Sequence, residues 1–514
     1  MAIDLKELGD RLWDTADQLK TNAGLKPSQY SGPVLGLLFL RYAESRFAQA
    51  EQGLTKKSKG RMTPEPSDYH ARGVIYLPKQ ARFSHLVAMP EGKGLGKALN
   101  DAMQAVEKDN PDLKDVLPRT YAAIEDWVLV ELVKLLEPLD LDGDAFGQVY
   151  EYFMGNFAMQ EMQKGGEFYT PASIVDLIVE IIEPFHGEVL DPACGSGGMF
   201  VHSAAFVRKH KKSPQTELSI FGMERTRETL RMCKMNLAVH GLSGEIKEAN
   251  TYYNDPHKLL GRFDFVMANP PFNESGVDRE RLKGDKRFPF GLPTTDNANY
   301  LWIELFYSAL NDKGRAGFVM ANSAGDARGS ELEIRKQLIQ SGAVDAVVAV
   351  GPNFFYTVTL PCALWFFDRA KAQTKRKNEV LFIDARHLYR QIDRAHRDFL
   401  PEQIEFLANI VRLWRGEPIE TDRGSASLLK DSGFSKSYID VAGLCRAASL
   451  KDMEAQGWSL NPGRYVGVAE GEAQDVDFKE RLKELHDQFE QLAGQARNTE
   501  ELIARNVNKL LSVE

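Results

Sequence analysis

Apolar residues near the start of the chain recur with the period of an α-helix. Leu5, Leu8, Leu12, Ala16 and Leu19 follow one another at steps of three and four residues, which places them on one helical face. The same period predicts further helices over the segments VLGLLFLRYAESRFAQAEQ (34–52), DWVLVELVKLLEPL (126–139) and DAFGQVYEYFMGNFAM (144–159). We therefore predict an N-terminal helical domain over residues 1–160.

The pattern changes at about residue 163, where short apolar runs begin to alternate with helical segments and glycine-rich turns. The predicted strands are EVLDPA (188–193), LSIFGME (218–224), FDFVMANPP (263–271), GRAGFVMAN (314–322) and VDAVVAVG (344–351). Such alternation is typical of a doubly wound α/β sheet of the Rossmann type, whose ligands bind at the carboxyl ends of the strands. We place this domain at residues 161–420.

The end of the chain carries a short heptad pattern. Its apolar positions are Phe478, Leu482, Leu485, Phe489, Leu492 and Ala496, at alternating steps of four and three. A helix docked on its own domain and a helix packed on a partner subunit both fit this pattern. The predicted boundaries are a mixed connecting region at 421–474 and a helical tail for subunit assembly at 475–514.

Composition narrows the class of protein. The 514 residues include 64 Lys and Arg against 73 Asp and Glu, a formal net charge of -9, whereas a protein that grips nucleic acid by a general positive field is usually basic. The four cysteines form no C-x-x-C pair, so neither a zinc site nor a disulfide framework is expected. Without a signal peptide or an apolar run long enough to span a bilayer, the expected location is the cytoplasm, with no membrane partner.

A glycine-rich turn follows the first predicted strand. The segment from Asp191 to Gly198 reads DPACGSGG, and its glycines permit a tight turn with backbone N–H groups close to a ligand. A purely structural turn is the alternative, but Glu224 ends the next strand, where a carboxylate can accept both hydroxyls of a ribose. No Lys-Ser or Lys-Thr follows the glycines, which excludes a P-loop.

A second motif, Asn269-Pro270-Pro271-Phe272, closes a later predicted strand. The prolines stiffen the turn, so that the Asn269 side chain and the Pro270 carbonyl can face one small target as fixed acceptors. Phe272 adds a flat surface beside them. This arrangement suits an amino group on a planar ring, because two acceptors take its two N–H bonds while the ring stacks.

These two motifs resemble motifs I and IV of S-adenosylmethionine-dependent amino-methyltransferases, in the order typical of enzymes that methylate adenine N6 in DNA. The resemblance extends over most of the chain to the modification subunits of Type I restriction-modification systems. The segments that carry it are YSGPVLGLLFLRYAE (30–44), FGQVYEYFMGNFA (146–158), GEFYTPASIVDLIVEII (166–182) and SLNPGRYVG (459–467).

The resemblance implies a role for individual residues. The implied cofactor contacts are Glu167, Phe168, Tyr169, Thr170, Pro171, Ala172, Asp191, Ser196, Gly197, Gly198, Glu224 and Asn250, with Asp191 facing the methionine amine. Asn250 departs from the family, where many relatives have Asp. Asn269, Pro270, Pro271 and Phe272 are the implied catalytic residues. Phe272, together with Phe354 or Phe355 of FFYTVTLP, would stack on the target base, and Tyr356 is a third candidate. No metal is implied.

The resemblance also implies partners: double-stranded DNA and a specificity subunit, with two modification subunits for each specificity subunit. Whether a restriction subunit accompanies them stays open. Other possibilities are a solitary adenine methyltransferase, a methyltransferase of protein amides or RNA, and a mainly structural subunit. Arg279, Arg281, Lys283, Lys286 and Arg287 are candidate phosphate contacts or a solvated loop. Because the chain is acidic, we expect it to bind specific DNA poorly unless it is assembled with its partners.

Overall fold

The computed structural model describes residues 5–57, 64–90, 92, 94–139, 143–162, 170–355, 360–393, 396–468 and 486. Its α-helices are α1 (Leu5–Asn22), α2 (Pro27–Lys57), α3 (Pro66–His70), α4 (Phe83–Val87), α5 (Leu95–Asp109), α6 (Asp126–Leu136), α7 (Gly143–Met162), α8 (Ala172–Ile182), α9 (Gly198–Lys209), α10 (Pro214–Glu217), α11 (Arg227–Val239), α12 (Asn299–Ala309), α13 (Ser330–Gln340), α14 (Pro401–Arg415), α15 (Ala426–Asp431) and α16 (Leu450–Ala455). Short 3₁₀ helices span Lys79–Ala81, Pro111–Leu113, Tyr121–Ala123, Arg279–Leu282, Asn322–Asp326, Arg369–Gln373, Lys375–Asn378 and Pro462–Arg464.

The strands are β1 (Gly187–Asp191), β2 (Leu218–Glu224), β3 (Gly244–Glu248), β4 (Phe263–Ala268), β5 (Leu310–Ala321), β6 (Val344–Val350), β7 (Cys362–Asp368), β8 (Glu379–Asp384), β9 (Arg390–Gln391), β10 (Arg397–Asp398) and β11 (Cys445–Ser449). Nine of them form one sheet in the order β11-β8-β6-β7-β5-β4-β1-β2-β3, and β9 and β10 pair separately. Strands β1 to β6 and β8 run parallel, whereas β7 and β11 run antiparallel to their neighbours. The predicted doubly wound α/β fold is confirmed.

The order of the strands locates the ligand site. From β1 the chain moves outward to β2 and β3, and then returns to β4 on the other side of β1. Parallel sheets bind ligands outside the carboxyl ends of the strands at such a reversal. The position between β1 and β4 is therefore where the loops following Asp191 and Ala268 must meet.

Both faces of the sheet are covered by helices. Buried side chains of α8, α9, α11 and α14 form the core on one face, and those of α12, α13 and α16 form it on the other. Gly317 of β5 permits close packing by α8, because a Cβ there would lie 2.8 Å from Cγ2 of Ile178. Strand β7 is buried along its whole length, which explains its almost continuous apolar sequence.

The helices that precede the sheet have a core of their own. It includes side chains of α1, α2, α5, α6 and α7, and it is completed by Met235 and Val239 of α11. Leu12 and Ala16, two of the positions predicted to face inward from the first helix, are buried there. Residues 1–466 form one compact unit. Edge strand β11 lies within the predicted connecting region, and the domain boundaries stay a prediction.

An ion-pair cluster fastens α14 to the sheet. Asp345 of β6 is fully buried, and its two carboxylate oxygens accept hydrogen bonds from Nη1 of Arg376 at 2.9 Å and Nη2 of Arg415 at 2.8 Å. Arg415 also donates to the carbonyl of Ile181 at the end of α8. Burial opposes the charge of Asp345, but the neighbouring cations outweigh it and lower its pKa.

The sequence also predicted a C-terminal helical tail and no membrane-spanning helix. Apart from His486, the C-terminal heptad segment lies outside the described residues, so its docking stays a prediction. Across the described parts of the chain, no helix combines the length and the apolar character that crossing a membrane requires.

Candidate functional site

A cavity of about 480 Å³ opens at the carboxyl ends of β1, β2 and β4. The predicted site residues that line it are Thr170, Asp191, Ser196, Gly198, Glu224, Asn250, Asn269, Pro270, Pro271 and Phe272. Both halves of the predicted site, one from the glycine-rich turn and one from the Asn-Pro-Pro-Phe turn, thus meet in one place. Glu167, Phe168 and Tyr169 lie outside the described residues, while Pro171 caps α8 and Ala172 begins it.

The glycine-rich turn is shaped by its packing. Gly197 has φ of +83°, and a Cβ there would lie 2.8 Å from Sγ of Cys233 on α11, so a side chain is excluded on both counts. Gly197 itself does not line the cavity. Around Gly198 there is open space where a Cβ would stand, and this residue begins α9. The turn therefore presents backbone and the start of a helix to the cavity.

Asp191, at the end of β1, is buried beside the cavity. Its carboxylate accepts a hydrogen bond from the backbone N–H of Ala193 at 3.0 Å. Burial, together with the charge of nearby Glu224, raises the pKa of Asp191 to about 8 despite that bond. A cation entering the cavity would restore the charged form, so the position suits a ligand amine.

Glu224 is held in a fixed orientation at the end of β2. Its Oε2 accepts a hydrogen bond from the N–H of Gly195 at 3.2 Å, and its Oε1 accepts one from the N–H of Thr226 at 2.8 Å. A carboxylate oxygen can accept more than one hydrogen bond, so both oxygens keep capacity for a ligand. Two adjacent hydroxyl groups match this geometry.

Asn250, which follows β3, lines the cavity from within its own turn. Its Oδ1 accepts from the N–H of Tyr252 at 3.1 Å, and its backbone N–H donates to Oδ1 of Asn254. Its side chain brings an uncharged amide to a position where an aspartate would bring a carboxylate.

The Asn-Pro-Pro-Phe turn is held on both sides. Nδ2 of Asn269 donates to Oγ1 of Thr170 at 2.9 Å, which connects this turn to the segment before α8. Beyond Phe272, Asn273 has φ of +54° and its Oδ1 accepts from the side-chain amides of Asn297 and Asn299 at 3.0 and 2.9 Å. The turn is a rigid platform, as the two prolines predict.

Glu274 joins the two halves of the site. Its carboxylate accepts hydrogen bonds from Nη1 of Arg225 and from the hydroxyl of Tyr252, both at 2.9 Å. Sequence reasoning missed Glu274 and the asparagines around it. The signal was present in NPPFNE and in the Asn-Ala-Asn that opens α12, because asparagines cluster where side chains bond to backbone turns.

His202 of α9 is a further cavity residue that the sequence did not single out. Its Nδ1 lies 2.7 Å from Oδ1 of Asp176. Burial alone would lower the pKa of His202, but the carboxylates of Asp176 and Glu151 outweigh burial and raise it to about 9. The charged form of His202 is therefore favoured by its pairing with Asp176 at the cavity wall.

Phe354 and Phe355 are placed away from the cavity wall. They are only 1% and 6% exposed, and the ring of Phe354 packs against Phe399 with 4.5 Å between centroids. Tyr356 lies outside the described residues. Of the aromatic residues expected to contact a base, Phe272 is the one that lines the cavity, and a stacking role for the others stays a prediction.

The candidate phosphate contacts after the Asn-Pro-Pro-Phe turn are largely engaged within the protein. Arg287 is buried and donates to the carbonyls of Thr251 and Tyr252, so its expected contact with phosphate is replaced by a structural role. Arg279 donates to the carbonyls of Pro293 and Thr295. Arg281 lies over the ring of Tyr253, and Lys283 pairs with Glu280. Lys286 is exposed.

Comparison with known proteins gives the family. The N-6 DNA Methylase family model matches residues 141–474, and the HsdM N-terminal domain matches residues 8–136. A Type I restriction enzyme methylase subunit of Methanocaldococcus jannaschii is 34% identical, with 98% of this chain and 91% of that protein covered. One from Haemophilus influenzae is 35% identical, with 81% and 93% covered.

A solved structure agrees in fold. The crystal structure of a Type I restriction-modification system methyltransferase subunit from Streptococcus thermophilus has a TM-score of 0.71 at 22% identity, with 90% of this chain and 99% of that chain covered. The chain therefore belongs to the N-6 DNA methylase family, among the methylase subunits of Type I restriction enzymes.

Proposed function

We propose that this methyltransferase transfers a methyl group from S-adenosylmethionine to N6 of an adenine flipped out of double-stranded DNA. The sequence to be methylated is read by a separate specificity subunit, with two copies of this chain for each specificity subunit. The enzyme works in the cytoplasm on cellular DNA. The observation that carries the proposal is one cavity that joins Asp191 and Glu224 at two strand ends to Asn269 and Phe272 at a third.

The residues present fit S-adenosylmethionine. The cavity volume of about 480 Å³ lies within the range of small-molecule sites. Glu224 would accept the ribose hydroxyls, Asp191 would hold the methionine amine, and Ser196 and Gly198 would lie beside the chain that joins them. When bound, this cofactor supplies a methyl group on a positively charged sulfur, already activated for transfer.

The catalytic turn would orient the target amine. Oδ1 of Asn269 and the carbonyl oxygen of Pro270 accept its two N–H bonds, so that the nitrogen lone pair points toward the transferred carbon. Fixed orientation and preorganised partial charges carry most of the catalysis. No strong base is needed, because the amine becomes acidic only as it is methylated and then passes a proton to Asn269, Pro270 or water.

Phe272 would hold the base outside the duplex. Extrusion of a base costs a few kcal/mol, because stacking and pairing are lost. Stacking on an aromatic side chain contributes roughly 1–3 kcal/mol per base and offsets much of that cost. The exposed part of the Phe272 ring at the cavity is where this contact would form.

A labelled methyl-transfer assay tests the proposal. The chain is assayed alone and after co-expression with its specificity subunit, on DNA with and without the recognised site. Activity only in the mixture supports the proposed function, and label in N6-methyladenine identifies the product. Activity of the chain alone would instead indicate a solitary enzyme, and activity in neither would indicate a structural subunit.

Glu224→Gln should weaken cofactor binding by on the order of tenfold or more. The substitution keeps the size of the side chain but removes the charge, and a hydrogen bond to a charged group contributes about 1.5–3 kcal/mol. Isothermal calorimetry with the cofactor measures the effect directly. Glu248→Gln, at the exposed end of neighbouring β3, is the matched control. Equal affinities of the wild type and Glu224→Gln would exclude the proposed contact.

Thr170→Val should slow methyl transfer by about fivefold while DNA affinity stays unchanged. Valine has the same shape but cannot accept the hydrogen bond from Nδ2 of Asn269, so the amide loses the partner that orients it. A lost hydrogen bond of this kind contributes about 1 kcal/mol. Single-turnover rates measure the effect, and Thr170→Ser should restore most of the rate. If serine and valine behaved alike, the positioning role would be wrong.

A further inference from the structure

Five arginines belong to loops at the carboxyl edge of the sheet, on the side of the cavity where β5, β6 and β8 lie. We call them the arginine rim: Arg328, Arg386, Arg390, Arg397 and Arg464. Arg328 belongs to the connection after β5, the next three belong to the connection after β8, and Arg464 belongs to the loop at 459–466. Because β5, β6 and β8 run parallel to β4, their connections emerge at the same edge as the catalytic turn.

Backbone hydrogen bonds join these connections into one surface. The N–H of Leu460 donates to the carbonyl of Gly325 at 2.9 Å, so the 459–466 loop is fixed to the connection after β5. The N–H of Arg397 donates to the carbonyl of Asn353 at 2.8 Å, which fixes the β9-β10 hairpin to the connection after β6. The 459–466 loop and the β9-β10 hairpin are therefore each attached to a connection at the sheet edge.

Four aspartates on this surface are already engaged. Nε of Arg386 donates to Asp384 at 2.8 Å, and Nε of Arg390 donates to Asp398 at 3.0 Å. Arg464 pairs with Asp326 at 3.2 Å, and Asp393 faces His396. These pairs hold three guanidinium groups in place with their side chains about half exposed.

Arg328 and Arg397 carry the uncompensated charge of the rim. Arg397 lies over the ring of Tyr389, 3.8 Å from its centroid, and its Nε donates to Gln391. Arg328 is exposed. Within the described ranges, neither of these arginines forms an ion pair with a carboxylate. Stacking on Tyr389 fixes the direction of Arg397 without neutralising it.

The spacing of the rim fits the backbone of a duplex. Three strand spacings separate β5 from β8, or roughly 14 Å, and one DNA strand presents a phosphate about every 3.4 Å of helix axis. A duplex lying along the rim would therefore present a few phosphates of one strand to it. A duplex that delivers a base to Asn269 must cross the mouth of the cavity, and the rim begins at β5, the strand next to β4.

We propose that the arginine rim binds the phosphate backbone of the duplex whose adenine enters the cavity. This inference rests on the proposed function. The rim would give an acidic chain a local positive surface beside the site. The contacts are to phosphate, so they strengthen binding to any sequence equally and leave base recognition to the specificity subunit.

The test uses the chain assembled with its specificity subunit and the variant Arg328→Gln/Arg397→Gln. DNA affinity is measured against salt concentration on duplexes with and without the recognised site. Each lost phosphate contact should reduce the slope of log affinity against log salt by about 0.9, and should weaken binding on the order of tenfold at 0.1 M salt. Both duplexes should be affected equally. Arg464→Gln, tested separately, should lower the slope once more.

The matched control is Lys375→Gln/Lys377→Gln. It removes two exposed charges just before the amino end of β8, whereas Arg386, Arg390 and Arg397 of the rim follow its carboxyl end. It should leave the salt slope unchanged. The inference is wrong if both rim variants keep the wild-type slope of log affinity against log salt. It is equally wrong if the variants keep that slope but release the specificity subunit in size-exclusion chromatography, since the arginines would then serve assembly. Methyl transfer by the wild type is measured in parallel. Its absence would contradict the proposed function, whereas the salt slope alone tests whether the rim binds phosphate.

Discussion

Asn269→Ala is expected to lower the rate of methyl transfer by about 10²- to 10³-fold, the loss typical when a preorganised polar group aimed at developing charge is removed. In the proposed mechanism, the target amine becomes positive as its bond to the methyl carbon forms. The carbonyl of Asn269 would face that charge from a turn that contains Pro270 and Pro271, with little reorganisation during the reaction. Alanine removes this acceptor together with the hydrogen bond to Thr170.

Single-turnover assays with saturating cofactor and DNA measure this effect, and calorimetry should give a cofactor affinity close to the wild type. The matched control is Asn311→Ala, at the opposite edge of the sheet, where Nδ2 of Asn311 donates to Asp264 at 2.8 Å. It should methylate at the wild-type rate. A wild-type rate for Asn269→Ala would contradict the proposed mechanism. So would an equal loss of rate in both variants.

Asp345→Ala should lower the free energy of unfolding by about 3–5 kcal/mol at neutral pH, because it removes the fully buried carboxylate that pairs with Arg376 and Arg415. The loss should shrink as pH falls. The folded-state pKa of Asp345 is lowered, so its contribution is present above the ordinary aspartate pKa and disappears when the folded carboxyl is protonated. Chemical denaturation at several pH values measures both effects.

Asp312→Ala is the matched control for this experiment. Asp312 also faces an arginine, Arg369 at 3.9 Å, but its side chain is fully exposed, and exposed pairs contribute at most about 1 kcal/mol. Its variant should unfold close to the wild type at every pH. If the two aspartate variants lost equal stability, the cluster around Asp345 would not fasten α14 to the sheet.

The sequence predicted the sheet and the position of the ligand site well, since both follow from periodicity. The apolar runs ending at Asp191, Glu224 and Asn269 are strands, and parallel strands bring such ends to one edge. Helix α5 was missed, although Leu95, Leu99, Ala102, Met103 and Val106 are spaced as one buried face. The buried runs that form β7 and β8 carry no alternation, and nothing local shows that β7 turns back between β5 and β6.

Contacts between distant side chains were beyond the sequence. The pairing of Asn269 with Thr170 joins residues 99 positions apart, and the internal role of Arg287 depends on carbonyls more than 30 positions away. A run of basic residues predicts exposure, because solvated loops are rich in charge. In the fold, four carbonyl and carboxylate partners converge on Arg287 and cover it.

The shared carboxylate of Glu274 has a thermodynamic consequence. One oxygen is held by Arg225, which follows Glu224, and the other by Tyr252, while the backbone of Glu274 continues the Asn-Pro-Pro-Phe turn. Under the proposed function, the cofactor would bind on one side of this network and the base on the other. Any effect that one ligand has through it on the affinity for the other must then be returned by the same factor.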